Sequence, residues 1–262
     1  MRLYYEIAVR SFRRAAVYRG AYIAGLLTNA FFGALISFVF RAIYGASGSI
    51  AGFSVEDAVS YNWATQSLIS VGGAWLSTEI MQTIRSGEVV TDLSRPWNFY
   101  GYWLSRTIGE RIFNLLVRAS LTYLAGVILF GAHIPSAAEG SAFVLALCLA
   151  MLISFSFNFI VNLTAFWLID ATGVLNLANV LLMFFSGFLL PLAFFPPVLQ
   201  AIARVLPFQA ITSLPAQIFL GKIAGQALAG AFLLQIFWAI ALAGIALLVL
   251  RAATRKVVIQ GG

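Results

Sequence analysis

The chain has 262 residues, of which 61% are hydrophobic and only 10% are charged, with a formal net charge of +7. A soluble globular domain averages about 45–50% apolar and about 25% charged residues, so this composition excludes a soluble fold and predicts an integral membrane protein. The basic residues lie in short polar segments between apolar runs, which indicates a role in membrane orientation and argues against nucleic-acid binding.

The sequence predicts no catalytic, metal or nucleotide site. One Cys and one His are too few for a metal cluster, and the nine acidic residues are scattered along the chain. Gly221-Lys222 lacks the upstream glycine and the following hydroxyl residue of a phosphate-binding loop. We therefore expect a protein that binds no cofactor itself and is not an enzyme.

Residues 1–20 predict a helix that lies on the membrane surface. Apolar side chains alternate there with charged ones, and the pairs Arg2–Glu6 and Glu6–Arg10 have the spacing of helical neighbours. Such an amphipathic segment is too polar to cross the bilayer and suits its interface.

Six apolar segments follow, each close to the roughly 20 residues that cross a bilayer. They are Ala21–Tyr44, Ala58–Ile80, Arg111–Phe130, Ala142–Ile169, Gly173–Leu190 and Ala227–Leu250. Twelve Lys and Arg residues lie in the N-terminal segment, the 81–111 segment and the C-terminal tail, against three on the other side. This asymmetry predicts that both termini are cytoplasmic, which requires an even number of spans.

The longest polar stretch, residues 81–109, is predicted to be a cytoplasmic loop. Within it, Glu88 to Arg95 could form a short helix between a glycine and a proline. A loop that carries function on a rigid scaffold is one interpretation, and an ordinary solvated loop is the other. The candidate docking residues are Arg85, Gly87, Glu88, Asp92, Arg95 and Pro96.

Residues 187–222 are apolar but rich in proline, with Pro191, Pro196, Pro197, Pro207 and Pro215. Irregular backbone at membrane depth is tolerated where protein or a wet cavity surrounds it. We interpret the segment as a re-entrant hairpin of two short helices that forms an outer gate. The alternative, a seventh span broken by proline, would place the basic tail outside and conflicts with the charge distribution.

Polar side chains recur at helical spacing inside the predicted spans. Asn62, Gln66 and Ser70 share one face of the second span, and Asn176 and Asn179 open the fifth. They could line a transport pathway or hold the helices together by hydrogen bonds. No Asp, Glu or Lys is predicted near mid-membrane, which disfavours ion-coupled transport.

The order of these parts resembles the type-two permease subunits of ATP-binding-cassette (ABC) exporters. Two strings carry the resemblance, IRSGEVVTDLSRPWNFYGYWLSRTIGE at Ile84 to Glu110 and FFSGFLLPLAFFPPVLQAIARVLPFQAITSLPAQIFLGK at Phe184 to Lys222. With the topology, the resemblance covers nearly the whole chain as a single permease domain, residues 1–262.

The resemblance implies a subunit of the cell or inner membrane that pairs with a second permease as a homodimer or heterodimer. Two copies of an ATP-binding subunit, which carry ATP and Mg, would dock at residues 88–95. The second and fifth spans would line the pathway. The alternatives are a proton- or sodium-coupled carrier, a membrane enzyme acting on lipid, and an assembly subunit without transport activity.

Overall fold

A computed structural model describes residues 2–17, 19–45, 48–69, 71, 75–168 and 170–256. These residues form helices and connecting turns, with no strand among them. Four helical segments are long and apolar enough to cross a membrane: Tyr22–Tyr44, Phe99–Phe130, Ala137–Phe166 and Gly225–Thr254. The prediction of an all-helical, multi-pass membrane protein is confirmed, while the count of six spans stays a prediction.

Twelve α-helices follow one another along the described chain. They are α1 Arg2–Val17, α2 Arg19–Tyr44, α3 Val55–Leu68, α4 Glu79–Arg85, α5 Val89–Ser94, α6 Phe99–Phe113, α7 Ser120–Phe130, α8 Ala137–Leu163, α9 Thr172–Phe185, α10 Pro197–Val205, α11 Ser213–Phe219 and α12 Gly225–Thr254. A π-helical segment, Asn114–Ala119, joins α6 to α7 without a break.

Helix α8 forms the centre of the bundle. It is predominantly apolar, and most of its apolar span is buried inside the bundle. Its residues Phe155, Phe159 and Leu163 are at most 1% exposed. Helices α11 and α12 pack against it, and the buried Gln235 of α12 donates hydrogen bonds to Ala146 O of α8 and to Ala210 O. This framework fixes the proline-rich segment against the core.

Helix α3 packs between α2 and α7 around one tryptophan. The side chain of Trp63 is fully buried, and a Cβ atom placed on Gly33 or Gly126 would come within 2.9 Å or 2.5 Å of it. The two glycines thus create the space that the indole ring fills, and they bring the three helices close together.

The predicted second span is not one continuous helix. Helix α3 begins with a capping box of Ser54 and Asp57 and ends at Leu68, and α4 begins only at Glu79. Residues 75–78 between them are not helical, and Ser70 lies outside the described residues. The unwound backbone needs hydrogen-bond partners from elsewhere in the protein.

The predicted loop 81–109 is largely helical. It contains most of α4, all of α5 and the beginning of α6, which starts at Phe99 because Asn98 caps it by accepting from the N–H of Gly101. The expected short helix within residues 88–95 is present as α5. The apolar run predicted to begin at Arg111 is the second half of a helical segment that begins at Phe99.

The 187–222 segment contains two short α-helices, α10 and α11, as expected. Pro197 is the first residue of α10, and Pro207 is the first residue of a 3₁₀ turn, positions where a missing N–H costs nothing. Pro191 and Pro196 lie in extended backbone, and Pro215 lies in the first turn of α11. The re-entrant path and the gate stay predictions.

An ion pair links the start of α3 to the end of the proline-rich segment. Lys222 Nζ lies 2.5 Å from Asp57 Oδ2, with both side chains mostly covered. Partial burial alone would raise the pKa of Asp57, but hydrogen bonds from Lys222 and Ser54 outweigh it and lower the pKa.

Because the folded-state pKa is lowered, the stability from this pair is present above the unfolded pKa of Asp57 and is lost as the pH falls through the folded value. We expect Asp57→Asn to lower the free energy of unfolding by about 1 kcal/mol at pH 7. Thermal unfolding in detergent measures it. The difference from wild type should shrink under acid conditions, and a difference independent of pH would contradict the assignment.

Candidate functional site

Helix α1 lies directly against α6. Gly109 provides the contact, because a Cβ atom there would overlap the backbone of Ala8. Phe12 meets Phe113 edge to face at 5.5 Å, and the hydroxyl of Tyr4 accepts a hydrogen bond from the N–H of Asn98 at 3.0 Å. The amphipathic helix predicted at the N-terminus is therefore docked on a helix that continues into the apolar bundle.

Glu79, the first residue of α4, connects three helices. Its Oε1 lies 2.8 Å from Arg106 Nη2 of α6 and 3.4 Å from Arg14 Nη2 of α1. The pairs are partly exposed, so each contributes little to stability. The pairs matter because they bring α1, α4 and α6 together at one carboxylate, that of Glu79.

Helix α5 packs against the bundle through Val89 and the partly buried Leu93, and it exposes much of its remaining surface. Val89 is 3% exposed, whereas Glu88 and Val90 are exposed. Gly87 ends α4 with φ +79°, a left-handed conformation that disfavours other residues, and so turns the chain into α5. The predicted docking residues thus surround a small projecting helix.

The flanks of α5 are held by aromatic contacts. The guanidinium of Arg95 lies 4.9 Å from the centroid of the Trp97 ring, which stacks on Tyr102 at 4.8 Å. Partial burial raises the pKa of Asp92 despite the nearby charges of Arg95 and Arg106. On the N-terminal side of α5, Arg85 Nη1 lies 3.6 Å from Asp170 Oδ1, and both side chains are exposed. Pro96, on the C-terminal side of α5, is also exposed.

A cavity of about 880 Å³ opens beside these helices. It lies between α1, α2, the α6–α7 segment, α8 and the residues after α3, and Glu79 and Arg106 are part of its wall. Its wall also includes the apolar residues Phe32, Ile36 and Leu189. Glu79 therefore belongs both to the junction of α1, α4 and α6 and to the wall of this cavity.

The predicted pathway residues separate into different environments. Gln66 lines the cavity. Asn62 is buried and donates to Gly33 O and Ser37 Oγ, so it joins α3 to α2. Asn176 is exposed on α9, and Asn179 Oδ1 accepts from the N–H of Leu76 at 2.8 Å.

Asn162 of α8 supports the unwound segment from the other side. Its Oδ1 accepts from the N–H of Met81 at 2.9 Å, and its Nδ2 donates to Ser77 O at 2.8 Å. With Asn179, it supplies the partners that the broken helix lacks. Two asparagines thus allow non-helical backbone beside the cavity.

Two arginines of the α6–α7 segment enter the cavity wall. Arg111 Nη1 donates to Met151 O at 2.9 Å and to Ser154 Oγ at 2.6 Å. Arg118 lies in the π-helical segment, and its Nη2 approaches Asn29 Oδ1 at 3.5 Å. π-Helical turns occur frequently at functional sites.

Sequence reasoning did not select Glu79, Arg111, Asn162 or Gln235 as site residues. Asn158 and Asn162, four apart in an apolar run, gave a signal for a polar helix face. Glu79 lies at the edge of a predicted span, and nothing in the sequence distinguishes it from the other scattered acids. Its role depends on a helix break that hydropathy does not reveal.

The family comparison agrees with this architecture. The family model described as "ABC-2 family transporter protein" matches residues 31–261. The chain belongs to the ABC-2 transporter family. No curated protein matches the chain.

Membership of the ABC-2 family makes the chain a multi-pass membrane component with a transport permease role, and it implies an ATP-binding partner in general. The resemblance drawn from the two sequence strings is thereby confirmed at the level of the family.

Proposed function

We propose that the chain is the permease subunit of an ATP-driven ABC exporter in the cell or inner membrane. It pairs with a second permease, identical or related, and two ATP-binding subunits carry the ATP and Mg. The ABC-2 family match supports a transport role. The sequence offers no phosphate-binding loop of its own, which supports hydrolysis on a separate subunit.

The observation that carries the proposal is the position of Glu79 at the junction of three helices and in the cavity wall. This residue begins α4, contacts α1 and α6, and forms part of the cavity wall. A displacement of α5 by an ATP-binding subunit would act through α4 on the unwound residues 75–78 beside the cavity. Packed helices transmit such displacements because their interfaces resist continuous deformation.

Both termini are proposed to be cytoplasmic, with α1, α4 and α5 on the cytoplasmic side. The distribution of Lys and Arg supports this orientation. The 187–222 segment is then on the outer side, where it would open and close the exit of the pathway. The ion pair between Asp57 and Lys222 joins this segment to α3.

Docking at α5 is tested by charge reversal. We expect the double variant Glu88→Lys, Asp92→Lys to reduce recovery of the ATP-binding subunit, and ATP-dependent transport with it, by about 10-fold, because docking charges control partner affinity. The tagged full-length chain is purified from native membranes, and the partner is detected by azido-ATP photolabelling. Permease abundance should change little, because Glu88 is exposed and Asp92 is only partly buried.

The matched control is Glu56→Lys, which reverses an exposed acid in the first turn of α3 on the proposed outer side. It should leave both recovery and transport within twofold of wild type, as expected of a surface change away from the docking site. Unchanged recovery and transport in the double variant would refute the docking assignment.

A further inference from the structure

We propose that the 880 Å³ cavity binds an anionic amphiphile, whose acidic group lies against Arg118 and Arg111 and whose hydrocarbon part follows the apolar part of the wall at Phe32, Ile36 and Leu189. As a statement about the transported substrate, this inference rests on the proposed function. As a statement about binding, it stands on the cavity alone.

The charge of the cavity wall favours an anion. Four arginines and two glutamates line it. Arg14 and Arg106 both interact with Glu79. The second glutamate, Glu110, is exposed beside Arg111. The wall therefore has an excess of two positive charges. Arg111 and Arg118, which form no ion pair with Glu79, contribute most of this excess.

Arg118 has few acceptors for its five N–H donors. Within the described part of the chain, its one hydrogen bond goes to Asn29 at a long 3.5 Å, and its buried Nε has no partner. No carboxylate among these residues lies within 4 Å of its guanidinium. Arg118 is half-buried, and a partly desolvated cation without an anion is costly, so a bound acidic group would supply what the protein does not.

The guanidinium of Arg118 has a defined position. Gly25 of α2 faces it, and a Cβ atom there would overlap the guanidinium. The stem of Arg118 therefore crosses from the π-helical segment to α2, where its head reaches both Asn29 and the cavity. Preorganised arginine donors match the oxygens of phosphate and carboxylate groups.

The second guanidinium lies on the same face of the α6–α7 segment, seven residues away. Arg111 uses neutral acceptors, Met151 O and Ser154 Oγ, so its charge is solvated but not neutralised. Asn114, also in the cavity wall, lies between the two arginines on this face. An anion entering from the cytoplasmic end would meet Arg111 first and Arg118 deeper in the cavity.

The polarity of the wall changes along α2. Tyr22 lies near the polar end and Ile36 near the apolar end, about 21 Å apart along the helix at 1.5 Å per residue. A small inorganic anion would leave Phe32 and Leu189 uncovered, and a neutral amphiphile would leave the cations unpaired. A molecule with an acidic head and an apolar tail satisfies both parts of the cavity.

Binding is tested with the purified full-length chain in a neutral detergent, without any ATP-binding subunit. The probes are octyl phosphate, inorganic phosphate and octyl glucoside, and affinity is measured by calorimetry. We expect octyl phosphate to bind at least 10-fold more tightly than either other probe. Arg118→Gln should weaken octyl phosphate binding by about 10-fold, because it removes a charge-assisted contact.

Two further variants keep the result interpretable. Arg41→Gln removes an exposed arginine at the far end of α2, where it contacts Phe130, and should leave affinity unchanged. Glu110→Gln removes an exposed negative charge from the cavity mouth and should tighten octyl phosphate binding. This second variant tests the electrostatics even if Arg118→Gln does not fold.

Equal affinity for octyl glucoside, or unchanged affinity in both Arg118→Gln and Glu110→Gln, would overturn the inference. Equal affinity for inorganic phosphate would also overturn it and leave a simple anion site. If octyl phosphate binds as expected but transport in membranes does not depend on ATP, the proposed function fails and the site remains. If ATP-dependent export is observed without octyl phosphate binding, only this inference fails.

Discussion

A valine at position 109 is expected to separate α1 from α6 and to abolish ATP-dependent transport. Any Cβ atom on Gly109 would overlap the carbonyl oxygen and adjacent backbone of Ala8, and backbone cannot move aside as a flexible side chain can. Overpacking of this kind costs about 1–3 kcal/mol. Because α1 also meets α4 through Arg14 and Glu79, the displacement would reach the unwound segment and the cavity.

Transport and thermal unfolding should be measured together on Gly109→Val. The expected pattern is a loss of ATP-dependent transport with the protein still inserted, because α1 lies outside the apolar bundle. Gly244→Ala is the matched control, since Gly244 is also a helical glycine and nothing lies within 4 Å of its missing side chain. Alanine there should keep transport and raise the free energy of unfolding by about 1 kcal/mol, because alanine has a higher helix propensity than glycine.

Full transport in Gly109→Val would show that close contact between α1 and α6 is dispensable. Equal loss of transport in Gly244→Ala would show instead that any added side chain in the helices is harmful. The coupling proposal depends on a physical connection between α1 and the cavity, and either result would contradict that connection.

The periodic features of the chain could be predicted from the sequence. The amphipathic pattern around Glu6 predicted α1. The glycine at 87 and the proline at 96 predicted the two ends of α5. The prolines in residues 187–222 predicted two short helices, α10 and α11, because proline interrupts a continuous helix. Each depends on residues close together in sequence, where local rules apply.

The breaks within apolar segments could not be predicted. Hydropathy averages over a window, so it registers residues 58–80 as one span although α3 ends at Leu68. The π-helical segment at Asn114–Ala119 leaves the hydropathy pattern unchanged. The unwound backbone depends on partners distant in sequence, such as Asn162, and a single sequence does not contain those pairings.

The asparagines show this limit most directly. Asn62 and Asn162 are both polar residues in apolar helices and look equivalent in the sequence. The structure uses Asn62 to join α3 to α2, through Gly33 O and Ser37, and uses Asn162 to hold the unwound segment. Which role applies depends on whether the neighbouring backbone is already paired within a helix.

Replacing Asn162 with alanine is therefore expected to destabilise the protein strongly. The change would leave the N–H of Met81 and the carbonyl of Ser77 without their partners, and the asparagine side chain itself is fully buried. Unsatisfied buried groups cost about 1–3 kcal/mol each, so we expect a loss of about 2–4 kcal/mol in the free energy of unfolding. Thermal unfolding in detergent would detect it.

The matched control is Asn176→Ala on α9. Asn176 is exposed, and no side-chain hydrogen bond involves it within the described chain, so the change should stay within about 0.5 kcal/mol of wild type. Similar stability in the two variants would mean that water replaces the amide of Asn162. In that case the cavity would extend behind residues 77–81, and the broken helix would be held by solvent. A large difference would instead show that α8 holds the break, because Asn162 bonds both to Ser77 in the unwound segment and to Met81 of α4.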